Sequence, residues 1–152
     1  KFGGHPMAAG LSLPTENIDL FRAKLNRQQT LTEKELTPVT WIDVPMPVSY
    51  ASKKLVEQLR VLEPFGKGNE KPVFADRKLT VRSANMIGKN KNVLKMQLED
   101  TQGHVVDAIQ FKVEEDMPLR GKEISIVYYP DINEFRGNQT LQFIVQEWCY
   151  TT

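Results

Sequence analysis

The periodicity of apolar residues changes at Val73, and this change constrains the fold more than any other feature of the sequence. Before Val73 the apolar residues recur at helical spacing, and after it they alternate with polar residues. Alternation of this kind is typical of strands with one buried face, as Leu94, Met96 and Leu98 illustrate within residues 93–99. The pattern predicts an α+β chain with a helical first part and a β-rich second part.

Five alternating segments follow the change and predict five strands. They cover residues 73–86, 93–99, 104–111, 124–129 and 140–148. The connection over residues 112–123 is longer than a hairpin needs and has room for a helical turn. Five strands with an insertion after the third are the layout of an OB-fold, a small five-stranded Greek-key β-barrel, although an SH3-like barrel or a plain sandwich fits the same pattern.

The alternation also predicts which aromatic residues are buried. Tyr128 and Tyr129 are consecutive and must point to opposite faces of their strand, so we expect one buried ring and one exposed ring. On the third strand Val105, Ile109 and Phe111 share one side, and the aromatic residues assigned to the core are Phe111, Phe143 and Trp148.

Two amphipathic helices are predicted before the strands. One lies within residues 14–29 with Thr15 as its cap, and the other covers residues 49–62 with Ser49 as its cap. Residues 64–72 contain two glycines and two prolines, which is typical of a turn-rich hinge. The predicted domain organisation is therefore 1–48, a connecting segment 49–72, and a β domain 73–152.

Composition limits the kind of partner and the compartment. The chain has 20 basic and 19 acidic residues, so a nucleic-acid site would have to be a local patch rather than a general positive field. The single cysteine, Cys149, cannot form a disulfide within the chain, and no apolar run approaches the ~20 residues of a membrane span. We expect a cytoplasmic protein with no membrane contact.

A metal or catalytic centre is not predicted for this chain. The only histidines, His5 and His104, lie in different predicted parts, whereas hydrolytic metal sites need clustered carboxylates and histidines. We therefore expect neither catalytic residues nor a bound cofactor here.

Two predicted loops carry residues suited to holding a single strand of nucleic acid. An OB-fold binds such ligands on the face of strands 2 and 3, between its 1–2 and 4–5 loops. Cations there contact phosphates, and aromatic rings stack on bases. The predicted binding residues are Arg82, Lys89, Lys91, Lys95, Lys112, Tyr129, Phe135 and Arg136. A solvated hairpin, or an aromatic packed under its own loop, would carry the same residue types.

The stretch GGHPMAAG, residues 3–10, raises a second possibility. Gly3 and Gly4 permit a positive φ or a close approach of another backbone, and exposed N–H groups in such a turn form an anion-binding nest. His5 could add a donor to that nest. A glycine turn beside a buried histidine that bonds to backbone fits the same residues.

Three stretches resemble known families, and together they cover most of the chain. GGHPMAAG is similar to the G-G-H-x-x-A-A-G motif of the DHHA1 domain in the DHH phosphoesterase superfamily. LEPFGKGNEKPVF, residues 62–74, resembles a signature of the RecJ single-strand-specific exonucleases, with Glu70 where many members have proline. INEFRGNQTLQFIVQEW, residues 132–148, resembles the final hairpin of the OB domain of that family.

The resemblance implies the end of a DHHA1 domain with two helices, followed by an OB domain, both cut from a larger 5′→3′ single-strand DNA exonuclease of recombination and repair. Gly3, Gly4 and His5 would then hold a substrate phosphate. Manganese or magnesium would be bound upstream, in a DHH domain outside this sequence. Single-stranded DNA is the expected partner, with single-strand-binding protein as a second. The alternatives are an RNA-binding module of the DHHA1 type and an OB module that docks single-strand-binding protein.

Overall fold

The computed structural model describes residues 1–6, 8–113 and 116–151, which form two compact units, residues 1–40 and residues 41–152. None of the helices formed by these residues has both the length and the hydropathy that crossing a membrane requires. The mixed α+β composition predicted from the sequence is confirmed, with few helices.

The first unit contains a hairpin and two helices. Strands β1 (Phe2–His5) and β2 (Ala8–Leu11) pair antiparallel. A single 3-10 turn (Thr15–Asn17) leads into helix α1 (Ile18–Gln28), so the cap residue of the α-helix is Asn17 and the prediction of Thr15 is wrong. None of the described residues of this unit is buried, and the apolar stripe of α1 is exposed.

Helix α2 (Glu33–Leu36) was not predicted from the sequence. The backbone N–H and the hydroxyl of Thr32 both donate to the Glu35 carboxylate, at 2.8 Å each. A threonine followed three residues later by glutamate is the sequence signature of a helix start. Thr32 and Glu35 form this signature, but the predicted helices did not take it into account.

The second unit begins with a short parallel strand and a helix. Strand β3 (Val44–Pro45) pairs with the start of β4 (Phe74–Ile87). Helix α3 (Lys53–Leu59) continues into a 3-10 turn. Its cap is Ser52, whose hydroxyl accepts a bond from the Leu55 N–H at 3.2 Å, so the prediction of Ser49 is wrong.

The segment after α3 is held by one asparagine. The side-chain amide of Asn69 donates to the carbonyls of Leu62 and Pro64, at 2.8 and 2.9 Å, and its backbone exchanges two bonds with Gly66. Gly68 has φ +85°, which a side chain would strain. The glycine and asparagine of the family-like signature therefore have a structural reason within this chain.

Four further strands complete the second unit: β5 (Val93–Glu99), β6 (Val105–Phe111), β7 (Glu123–Phe135) and β8 (Asn138–Tyr150). The strand order is β3-β4-β5-β6-β8-β7, and β7 also pairs with β4. The pairings of β4 to β8 thus form a closed ring. No helix forms in residues 112–113 and 116–122; the remainder of the predicted helical turn, Glu114 and Glu115, lies outside the described residues.

The core lies inside this ring. Its largest fully buried side chains on the strands come from β4, β5, β7 and β8 and include Leu79, Leu94, Ile126, Tyr128 and Phe143, while β6 contributes the small Ala108. The Tyr128 hydroxyl donates to the Met46 carbonyl at 2.9 Å, and burial raises the pKa of this phenol well above its ordinary value, with the Asp76 carboxylate adding to the effect. Phe143 is confirmed as a core residue, and Trp148 packs partly buried against the core.

Candidate nucleic-acid interface

The outer face of β5 and β6 is organised by the register of the two strands. Leu94, Met96 and Leu98 are fully buried, so the residues between them, including Lys95, point outward. Met96 lies opposite Ala108 on β6. Since directly paired residues share a face, the outer residues of β6 are Val105, Asp107, Ile109 and Phe111.

The predicted core assignment of Phe111 is therefore wrong, and Val105 lies on the same outward side. Each side chain is 53% exposed, while the inward positions of β6 are taken by Val106, Ala108 and Gln110. The Gln110 amide donates to the Gln146 carbonyl at 3.0 Å. Because Gln110 is polar but points inward, and because both faces of β6 carry apolar residues, the sequence of β6 does not show which face is buried. Ile109, on the same side as Val105 and Phe111, is half-buried.

Phe111 ends a row of apolar side chains that crosses three strands. Ile87 on β4 pairs with Val93 on β5, and Val93 pairs with Phe111 on β6. The next row along the strands is Asn85, Lys95 and Ile109. The sheet thus presents an exposed aromatic ring among apolar neighbours, a functional candidate that the sequence reasoning missed.

Three lysines surround this end of the face. Lys89 and Lys91 lie in the turn that joins Ile87 to Val93, where Lys91 has φ +48°. Lys95 lies one row from Val93 along β5. The predicted ligand Lys112 directly follows Phe111, but it lines a pocket with Gln110, Asp116 and Trp148 and is not placed on this face. All four lysines are exposed, and none pairs with a carboxylate among residues 1–6, 8–113 and 116–151.

The opposite end of the same face is acidic. Glu99 pairs with Val105, and Asp107 pairs with Gln97 across the strands. Arg82, a predicted phosphate ligand, forms an ion pair with Glu99. Its charge is therefore compensated within the chain, and it lies next to a carboxylate rather than with the three lysines.

Phe135 and Arg136 lie at the tip of a long hairpin rather than in the ten-residue loop that the sequence predicted. Strands β7 and β8 stay paired as far as Phe135 and Asn138, which leaves a two-residue turn. Arg136 and Gly137 have φ of +52° and +78°, the signs of a type I′ turn. The guanidinium carbon of Arg136 lies 5.1 Å from the centroid of the Phe135 ring, which is 65% exposed.

Tyr129 does not offer an open ring face. It is 5% exposed, because Phe65 packs edge-on against it at 6.4 Å and the Lys71 ammonium lies 4.3 Å from its centroid. The prediction that one of the two consecutive tyrosines is exposed is wrong, since Tyr128 is buried in the core and Tyr129 under the segment that precedes β4. Burial, with Asp131 and Glu63, raises the pKa of Tyr129.

Gly3, Gly4 and His5 lie on β1, in the first unit, and all three are exposed. Neither glycine has a positive φ, so the turn-shaped nest expected from the sequence is not formed. A Cβ on Gly4 would come within 2.8 Å of the Ala8 carbonyl oxygen, whereas a Cβ on Gly3 would meet nothing within 4 Å. The role of these residues in binding phosphate stays a prediction.

Residues 1–6, 8–113 and 116–151 contain no group of three or more histidine, cysteine or acidic side chains able to hold a cation. The Nδ1 atom of His104 lies 2.9 Å from the Asp100 carboxylate, which also accepts two backbone N–H groups of its own turn. These residues therefore do not fit a hydrolytic metal centre.

A small α+β domain with a ring of five strands, a lysine-rich sheet face and an aromatic hairpin tip has the features of a nucleic-acid-binding module. The family described as the RecJ OB domain matches residues 42–147. The chain belongs to this family, and the resemblance noted from its sequence is confirmed.

The relatives are RecJ proteins. The single-stranded-DNA-specific exonuclease RecJ of Haemophilus influenzae is 37% identical over 95% of this chain, and that of Bacillus subtilis is 31% identical over 96%. This chain spans only 26% and 19% of their lengths. RecJ of Thermus thermophilus, solved in complex with Mn²⁺, is similar over the whole chain with a TM-score of 0.71 at 19% identity, and this chain covers 22% of it.

Proposed function

We propose that this chain is the substrate-binding part of a RecJ-like exonuclease. It would grip single-stranded DNA, while other parts of the parent protein hydrolyse the strand in the 5′→3′ direction during recombination and repair. Single-stranded DNA as the substrate is supported by the relatives, which are named single-stranded-DNA-specific exonucleases. The division into the end of a DHHA1 domain (1–48), a connecting segment (49–72) and an OB domain (73–152) is part of the proposal, as is a cytoplasmic location.

The domain that binds the DNA is proposed to be a five-stranded OB-type barrel. The ring of pairings supports it, because β4 pairs with both β5 and β7 while β8 lies between β6 and β7. In this arrangement the β4–β5 turn and the β7–β8 turn are the 1–2 and 4–5 loops, which flank the ligand in OB-folds. Lys89 and Lys91 lie in the first, and Phe135 and Arg136 end the second.

The observation that carries the proposal is the clustering of three exposed lysines at one end of the β5–β6 face. Chains that carry a net charge near zero bind polyanions only through such local patches. The lysines are Lys89, Lys91 and Lys95. Because they have no carboxylate partner among the described residues, their charge is available to phosphates.

The remaining parts of the proposal concern the parent protein. Gly3, Gly4 and His5 would contact a phosphate near the scissile bond, and the open space beside Gly3 supports a close approach there. Mn²⁺ or Mg²⁺ would be held by the parts of the parent outside this sequence, since the described residues do not fit a metal centre. The fragment alone would then bind without cleaving.

The test is fluorescence anisotropy of this chain with a labelled dT 20-mer, titrated with salt. We expect binding that weakens steeply with salt, because each phosphate contact releases a counterion. The double substitution Lys89→Gln and Lys91→Gln should weaken binding and lower the salt slope by about 2, roughly 1 for each phosphate left without its lysine. Lys54→Gln on α3 is the matched control and should change neither quantity.

Arg136→Asn separates the hairpin tip from the hairpin fold. Asn-Gly is the favoured pair for a type I′ turn, so the strands should remain paired while the guanidinium is lost. We expect weaker binding with an unchanged circular dichroism spectrum. No binding of the dT oligomer at low salt would overturn the proposal, and tighter binding of structured RNA would favour the RNA-binding alternative.

Single-strand-binding protein is proposed as a second partner. An open groove of about 450 Å³ is lined in part by Ile42, Arg77 and Trp148 and has room for a peptide segment. It is formed by the first residues of β4 together with β7 and β8, whereas the lysine cluster lies on β5 and in the turn after β4. Co-migration of this chain with purified single-strand-binding protein in gel filtration, without DNA, tests the interaction. Separate elution at micromolar concentrations would remove this partner from the proposal.

A further inference from the structure

We propose that Phe111 is a base-stacking residue that holds one unpaired base of the single strand, while the lysines around it contact the flanking phosphates. This inference rests on the proposed function and adds to it a residue and a ligand chemistry. No stacking role followed from the sequence, where Phe111 was assigned to the core.

The first argument is the exposure of Phe111 relative to the sheet around it. Its ring stands at the end of β6, 53% exposed, on the face that points away from the core. The cross-strand neighbours Val93 and Ile87 line up beside it. An aromatic ring seated on an apolar row but open to solvent offers the flat surface on which bases of any sequence stack.

The second argument is the polarity of the face. The Phe111 end carries Lys95 and lies next to the β4–β5 turn with its two lysines. At the Val105 end the charges of Glu99 and Arg82 cancel in an ion pair, which leaves the carboxylate of Asp107. A polyanion is therefore attracted to the Phe111 end and not to the other, although both ends expose an apolar residue of β6.

The third argument concerns the kind of ligand. An apolar protein segment could cover Ile87, Val93 and Phe111, but it would remove water from the surrounding ammonium groups without supplying opposite charge, which is unfavourable. A single strand supplies both a flat apolar base and charged phosphates within one nucleotide. The nucleotide therefore matches both the ring and the lysines, whereas a purely apolar segment matches only the ring.

The test compares two 20-mers that carry the same number of phosphates, one of dT and one of abasic sites. Phe111→Ser should lower the affinity for the dT oligomer by about fivefold or more, since a stacked base contributes at least ~1 kcal/mol. Affinity for the abasic oligomer should be unchanged. Phe111→Tyr should keep wild-type affinity for both, because it keeps the ring.

Val105→Ser is the matched control, since Val105 lies on the same strand and face with the same 53% exposure. It should leave binding of both oligomers unchanged. If wild type binds the dT oligomer and Phe111→Ser binds it equally well, or loses both oligomers equally, the stacking role is wrong while the proposed function stands. If wild type binds neither oligomer, the proposed function fails and this inference fails with it.

Discussion

The ammonium of Lys71 lies 4.3 Å from the centroid of the Tyr129 ring and 5.8 Å from that of Phe65. Phe65 belongs to the turn-rich segment and Tyr129 to β7, so these contacts tie the segment before β4 to the ring of strands. The same contacts explain why Tyr129 is buried although Tyr128 already occupies the core side of the strand.

The cation over the Tyr129 ring should contribute measurably to stability. Lys71→Met keeps the aliphatic stem but removes the charge, and we expect a loss of about 0.5–1 kcal/mol, as for cation–π contacts at exposed sites. Urea unfolding followed by circular dichroism gives the difference. Lys67→Met, in the same segment, is the control and should be neutral. Equal stability of wild type and Lys71→Met would show that the packing of Phe65 alone holds the segment.

The tip of the β7–β8 hairpin should require glycine at its second position. Gly137 has φ +78°, so Gly137→Ala should cost about 1 kcal/mol. Gly66 lies outside the left-handed region and a Cβ there would meet nothing within 4 Å, so Gly66→Ala should cost only a few tenths of that. Thermal unfolding of both variants measures the contrast, and similar melting temperatures would argue against a type I′ turn.

The two glycines of the first hairpin should differ in their tolerance of a side chain. Gly4→Ala would place a Cβ 2.8 Å from the Ala8 carbonyl oxygen and 2.9 Å from the Ala9 Cα, which are backbone atoms that cannot move without opening the hairpin. Gly3→Ala would be accommodated. Amide hydrogen exchange of residues 2–11 should accelerate in Gly4→Ala only, and acceleration in both variants would show that Gly3 is also needed for the hairpin itself.

Stability should depend on the charge of Asp100 at acid pH. Burial raises the pKa of this carboxyl, but the hydrogen bonds from the backbone and ring of His104 and from the Gln102 N–H outweigh it, so the pKa lies below its ordinary value. A lowered folded-state pKa gives stability that is complete above the unfolded value, about 3.9, and is lost as pH falls through the folded value.

The comparison that isolates this charge is wild type against Asp100→Asn in urea from pH 2 to pH 7. The advantage of wild type should be constant above about pH 5 and should shrink steadily as the pH falls below about 4. A difference that does not change over the whole range would mean that the shape of the turn, and not the charge of Asp100, is what the aspartate supplies.

Much of the fold was readable because one strand had a clean alternation. Leu94, Met96 and Leu98 set the phase of β5 correctly, and the positions of β4 and β5 follow the pattern within one residue. The extents of β7 and β8 were underestimated, because residues 130–139 contain proline, aspartate, asparagine and glycine, which are typical of loops. Pro130 nevertheless lies in β7 opposite Phe143, and cross-strand pairing extends the hairpin to its two-residue turn.

The site was harder to predict than the fold. The loop lysines were found because turns expose whatever charges they carry, but Phe111 was missed since β6 has apolar residues on both faces and its phase is fixed only by pairing with β5. Tyr129 was misjudged because a segment more than fifty residues earlier covers it. The charge of Arg82 is compensated by an ion pair with Glu99 on the neighbouring strand. These outcomes depend on tertiary contacts that local patterns do not contain.

The closure of the strand ring has a consequence for how the chain folds during synthesis. Strands β4, β5 and β6 leave the ribosome before β7 and β8 and can pair with one another, but both outer edges of this partial sheet then present unpaired backbone groups. At one edge Phe74 pairs with Tyr128 only after β7 has been synthesised, and at the other edge Ala108 pairs with Phe143 only after β8 has been synthesised. The nascent chain therefore carries two open edges until its last strands emerge, and that interval is when it is most exposed to association with other chains.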